Sequence, residues 1–143
     1  MAKQLPAAGV LHGSGPGASM GVGRAISNIV YFEHRKPLAW VGSSRRGVRA
    51  FPRAARRRAG EQLLRVQLGL PLLDVKPLPA VGAGVMEIRV HAAGEYRVIY
   101  VAKYIEAIYV LHAFEKRSQR TRQGDIELAR SRFRLVERSR LSE

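Results

Sequence analysis

The residues that could do chemistry stand out because they interrupt apolar stretches. Glu87, Arg89 and His91 alternate with Met86, Ile88 and Val90. Arg97 sits between Tyr96 and Val98 in a run that otherwise reads as buried, and an unpaired arginine there is costly. His112 lies among Val110, Leu111 and Phe114, and Lys116-Arg117-Ser118-Gln119-Arg120 follows at once. A guanidinium grips phosphate in two places. An imidazole titrates near neutral pH, and a carboxylate can accept a proton. The set therefore suits proton transfer beside a bound anion.

Each of these residues also has a structural reading. Glu87 either forms a cross-strand salt bridge with Arg97 or Arg89 or serves as a base. His112 falls in phase with Ile108, Val110 and Phe114, and a lone histidine on an apolar face is more often a satisfied core residue. His91 lies at a strand end. Tyr100 either stacks on a base or packs inside. Arg97 reads as functional, given the cost of burying it unpaired.

Composition narrows the partner. The chain has 143 residues, 25 Lys+Arg against 11 Asp+Glu, and a net charge of +14. Twenty of the basic residues are arginine. That balance points to a polyanion, RNA or DNA, or to an acidic protein. The absence of cysteine excludes disulfides, thiol nucleophiles and Cys-based metal sites. No apolar run approaches the roughly 20 residues of a membrane span. Gly82-Ala83-Gly84 is no nucleotide loop, since no Lys-Ser/Thr follows it.

The elements that must position these side chains follow from periodicity. Residues 1–35 read as a flexible Gly/Pro-rich extension, since Gly13-Ser14-Gly15-Pro16-Gly17 cannot hold a regular element. Residues 36–140 read as one domain, and 36–143 hold 22 of the 25 basic residues. Leu38–Val41 is a first strand. Ser43 or Ser44 caps a short helix through about Phe51, and Pro52 opens a second. The stripe Ala55, Ala59, Leu63, Val66, Leu70 marks that helix, and Gly69 and Pro71 stop it. A loop covers Lys76-Pro77-Leu78-Pro79. Three strands follow, over Val85–His91, Glu95–Lys103 and Ala107–Phe114. Thr121 caps a last helix to about Arg138, with Ile126, Ala129, Phe133 and Val136 as its stripe. The expected fold is α+β, in the order β-α-α-β-β-β-α. It is a small, mainly antiparallel sheet carrying two N-terminal helices and a C-terminal helix.

Four segments, in order, resemble the RelE/ParE toxin superfamily in its phage-derived HigB-like branch. They are 36–44 with Phe51-Pro52, Lys76-Pro77-Leu78 with 82–89, Tyr96-Arg97-Val98-Ile99-Tyr100, and 110–121 with 125–130. The resemblance implies a RelE-like fold and a type II toxin that cuts mRNA on the ribosome without metal or cofactor. It implies a cytoplasmic protein with no membrane partner, neutralised by a cognate helix-turn-helix antitoxin. Arg97 matches the arginine that holds the scissile phosphate. Lys116 and Arg117 match a Phe-x-Lys-Lys signature, with Lys116 neutralising phosphate or protonating the leaving group. Glu87 and Arg89 stand where better-known relatives have two lysines, and this leaves the base unassigned. The expected catalytic set is Arg97, Lys116, Arg89, His112 and Glu87. Lys76, Tyr100, Arg117, Gln119 and Arg120 are expected to bind RNA. The arginines at 45, 46, 49, 53, 56, 57 and 58 form a general anionic footprint. Two other outcomes of such a resemblance are a ParE-like inhibitor of a target such as gyrase and an inactive antitoxin-binding regulator.

Overall fold

A computed structural model describes residues 2–3, 35–118 and 122–142. Nearly all of the 1–35 extension, the Thr121 cap, Gln119 and Arg120 lie outside the described residues. The elements are β1 (Ala2–Lys3), β2 (Leu38–Trp40), α1 (Ser44–Arg49), α2 (Arg53–Leu68), β3 (Val75–Pro77), β4 (Val85–His91), β5 (Glu95–Val101), β6 (Ile108–Glu115) and α3 (Gln123–Leu141). The fold is α+β. The sheet runs β1-β2-β6-β5-β4-β3, with β2 and β6 parallel and all other neighbours antiparallel.

Two strands go beyond the expected order. One is Ala2–Lys3, antiparallel to β2. The other is β3, where the sequence suggested only a loop. Pro77 is tolerated there because β3 is the sheet's last strand, and an edge proline forfeits no ladder bond. α2 ends as its sequence implies: Gly69 adopts φ 72° and donates to the Val66 carbonyl. Leu70, expected on the apolar stripe, is instead exposed just past that stop. Neither Ser43 nor Ser44 caps α1 through its side chain. Ser44 Oγ instead accepts the Val41 amide at 3.1 Å.

The helices cover opposite faces of the sheet. α1 and α2 bring Val48, Phe51, Ala55, Ala59 and Leu63 onto Ile88, Val90, Val98, Tyr100, Ile108 and Val110. Gly47 permits this approach, because a Cβ there would lie 2.6 Å from the Ala113 carbonyl oxygen. α3 brings Ala129, Phe133 and Val136 onto Val85, Ile99, Val101, Tyr109 and Leu111.

β6 carries an irregularity. Ile99 pairs with His112 but Tyr100 pairs with Val110, so Leu111 is an extra residue. The Leu111 carbonyl accepts Arg132 from α3 at 2.8 Å. The bulge shifts the side-chain phase. Ile108, Val110 and Ala113 face α2, whereas Leu111 and Phe114 face α3. His112 turns to α3 as well, out of phase with Ile108 and Val110, contrary to the strict alternation expected.

Candidate functional site

Alternation puts Glu87, Arg89 and His91 of β4 on the α3 face beside Val85, and Glu95 and Arg97 of β5 beside Ile99. The apolar halves of both strands lie under α3. Their polar halves form an open cleft of about 460 Å3, lined by Arg89, Glu95, Arg97, Lys116, Arg117 and Ser118. Among the described residues, four cations and one carboxylate thus share one hollow.

Arg89 and Arg97 are direct cross-strand partners. Like charges so placed repel. Arg97 is only 4% exposed. Its Nη1 donates to the Tyr96 carbonyl at 3.0 Å and to Glu95 Oε1 at 3.1 Å. The Nε atoms of both arginines are buried without a hydrogen-bond partner. An anion in the cleft would relieve the repulsion. Lys116 joins through its backbone, with its amide donating to the Glu95 carbonyl at 2.7 Å.

Glu87 is fully buried. Its carboxylate accepts the Arg122 guanidinium, from the residue just before α3. Its other oxygen lies 3.9 Å from Arg89 Nε. Of the two expected partners, Arg89 lies within ion-pair distance, on the same strand, and Arg97 does not, because Arg97 turns to Glu95. Burial also closes Glu87 to a substrate, which removes it from the candidates for base.

His112 Nε2 is 2.7 Å from Asp125 Oδ1 in the first turn of α3, and its ring stacks on Phe114 at 5.0 Å. Its side chain is 12% exposed. Burial lowers its pKa, with Asp125 opposing and Arg132 adding to the shift. It is a satisfied, mostly enclosed histidine that does not line the cleft.

Tyr100 belongs to the α2 core, on the face opposite the cleft, and burial pushes its hydroxyl up to about 12. It is therefore not placed to stack on RNA. Lys76 pairs in register with Glu87 on the edge strand, outside the cleft. Arg117 lines the cleft and pairs with Glu115 at 3.1 Å. The arginines at 45, 46, 49, 53, 56, 57 and 58 are exposed on α1 and α2, and Arg58 reaches the end of β4, where it lines a hollow with Asp74, Arg89 and His91.

His91, a weaker candidate from the sequence, belongs to a second cluster whose acidic members the sequence did not single out. His91 Nδ1 is 2.8 Å from Glu95 Oε2, and its Nε2 is 2.7 Å from Asp74 Oδ2. These contacts raise the His91 pKa, Asp74 most, then Glu95. The His91 hydrogen bond, with help from Arg97 and against desolvation, lowers that of Glu95. The His91–Glu95 pairing was legible in principle, since the two flank the tight turn at Ala92–Gly94. Asp74, Arg122 and Asp125 had no such local signal.

The small α+β domain is consistent with a RelE-like fold. Residues 46–134 match the family described as Phage derived protein Gp49-like (DUF891), and the chain belongs to that family, within the RelE/HigB-type toxin group. No curated protein matches the chain. Membership implies an antitoxin partner. Among the described residues, no helix is long and apolar enough to cross a membrane.

Proposed function

We propose that the chain is the toxin of a type II toxin–antitoxin system, a HigB-like endoribonuclease that cuts mRNA on the translating ribosome without a metal. The observation that carries this reading is the opposed pair Arg89 and Arg97 in a cleft shared with Lys116. Metal-independent cleavage uses the ribose 2′-hydroxyl as nucleophile. It needs cations around the phosphorane, a proton acceptor for the hydroxyl and a donor for the leaving oxygen. Arg89 and Arg97 supply the charge, and Lys116 protonates the leaving group. Arg117 binds neighbouring phosphate. The exposed α1 and α2 arginines dock on ribosomal RNA, so binding falls steeply with salt. The cognate antitoxin carries a helix-turn-helix domain, and the protein acts in the cytoplasm.

The test is primer extension on cellular mRNA after induction, comparing wild type with Arg97→Ala and Lys116→Ala. Discrete cuts that vanish in both variants support the reading. Uncut mRNA with persisting growth arrest overturns it, and a supercoiling assay then examines gyrase inhibition.

A further inference from the structure

Among the described residues, the cleft is lined by one carboxylate, Glu95. Glu95 is 44% exposed, whereas Glu87 is fully buried under Arg122 and Arg89, and His112 is enclosed against Asp125. A proton acceptor for a 2′-hydroxyl must be reachable within hydrogen-bond distance. Among the described residues that line the cleft, only the Glu95 side chain is a carboxylate.

Glu95 is also held in an unusual way. Asp74, His91, Glu95 and Arg97 form an unbroken chain of alternating charge, at 2.7, 2.8 and 3.1 Å. Both ring nitrogens of His91 face carboxylates, an arrangement that favours the imidazolium form. The turn that sets His91 opposite Glu95 places Ala93 at φ 55°, where a residue with a Cβ is strained. His91 thus fixes one oxygen of Glu95, and the other rests on Arg97. Arg58 from α2 donates to the His91 carbonyl at 2.5 Å. Arg89 stands beside Arg97 across the strands, and Lys116 is tied to the Glu95 backbone.

We propose that Glu95 is the general base of the cleavage reaction and that His91 and Asp74 are its positioning residues. The assignment rests on the endoribonuclease reading above. RNA phosphate entering the cleft gives Arg97 a charge-assisted bidentate partner. Glu95 Oε1 is then released from Arg97, while His91 keeps Oε2 in place. The 2′-hydroxyl proton passes to Oε1 as the 2′-oxygen bonds to phosphorus. The bond from phosphorus to the 5′-oxygen breaks, and Lys116 protonates that oxygen. The products are a 2′,3′-cyclic phosphate and a 5′-hydroxyl end. The backbone bond from Lys116 to Glu95 keeps the donor and the acceptor on adjacent strand ends.

The experiment measures single-turnover cleavage of a synthetic mRNA on translating ribosomes by the full chain. Affinity is measured in parallel with the same mRNA carrying 2′-deoxy nucleotides, which cannot be cut. Glu95→Gln is expected to slow cleavage by about 10²–10⁴-fold, the usual range for a lost general base. It should bind the deoxy mRNA at least as tightly as wild type, since phosphate no longer competes with the Glu95 carboxylate for Arg97, and this binding also shows that it folds. The acid limb of the wild-type pH–rate profile should disappear in this variant. His91→Gln should lose less activity and move that limb to higher pH, because Glu95 loses the hydrogen bond that lowers its pKa. A merely structural role for His91 leaves the limb in place. Wild-type cleavage rates in Glu95→Gln, with or without tighter binding, overturn the assignment and leave Glu95 a counterion of Arg97. Absence of any cut by the wild-type protein overturns the endoribonuclease reading, and the assignment with it.

Discussion

The two faces of this sheet are built from the same strands and serve opposite ends. On the α2 face, Ile88, Val98, Tyr100, Ile108 and Val110 meet α1 and α2 with almost no polar interruption. On the α3 face, the helix covers Val85, Ile99, Val101 and Leu111 and leaves the other halves of β4 and β5 open. There the same alternation delivers Arg89, Arg97, Glu87 and Glu95. The covered face gains stability from burial. The open face spends some of it on opposed arginines that no stability argument would place together.

The largest predicted effect sits where the two regimes meet. Arg122→Ala strips the partner from a fully buried Glu87 carboxylate, and it should destabilise the domain by about 3–5 kcal/mol in urea unfolding. Glu87→Gln should cost clearly less, since the Arg122 guanidinium it leaves without a carboxylate is partly exposed, not fully buried. Equal losses would show that Glu87 is not held as a buried ion.

On the covered face, Ile88→Ala should cost about 2–5 kcal/mol of stability, because it opens a cavity beneath α2. Any molecules that stay folded should cleave normally. Arg97→Ala should do the reverse, lowering cleavage by about 10²–10³-fold, with Arg97→Lys intermediate. Its melting temperature should fall little, because the repulsion from Arg89 disappears along with the lost bonds to Glu95 and Tyr96. A large drop in stability would mean that Arg97 belongs to the core and not to the cleft.

A smaller effect is expected at the α1 contact. Gly47→Ala should cost about 1–3 kcal/mol, because its Cβ meets the backbone carbonyl of Ala113, which cannot turn aside.

The histidines sharpen the contrast at the smallest scale. His91 has a raised pKa in the folded state, so its contribution is full below the unfolded value and fades as pH rises through the folded value. His112 has a lowered one, so the unfolded chain binds the proton more readily. Its stabilising contribution is lost as pH falls below about 6.5. His91 is half exposed, so its share stays below about 1 kcal/mol. Thermal melts between acid and neutral pH on His91→Gln and His112→Gln should show slopes changed in opposite directions.

Much of this organisation is legible in the sequence. The strict alternation from Val85 to His91 gave β4 and its polar edge. The four- and three-residue steps from Ala55 to Val66 gave α2, and Gly69 gave its end. Other features had no local signal. β3 is three residues long and ends in proline, so its propensity argues against a strand, and only pairing with β4 makes it one. The bulge at Leu111 falls in a run where residues 108–111 are all buried, so no polar residue marks the phase. Strict alternation therefore groups His112 with Ile108 and Val110, whereas the bulge leaves it with Phe114 on the α3 side. Arg122 lies 35 residues from Glu87, and no spacing rule links them.

By itself, the sequence determined the strand and helix periods, the basic charge and the side chains available for chemistry. These depend on residue type and on neighbours within a turn or a pleat. Which of those side chains share a cleft was decided only by tertiary structure. Burial and ion pairing act through space: they closed Glu87 under Arg122, enclosed His112 against Asp125, turned Tyr100 away, and left Glu95 open beside Arg97 and Lys116.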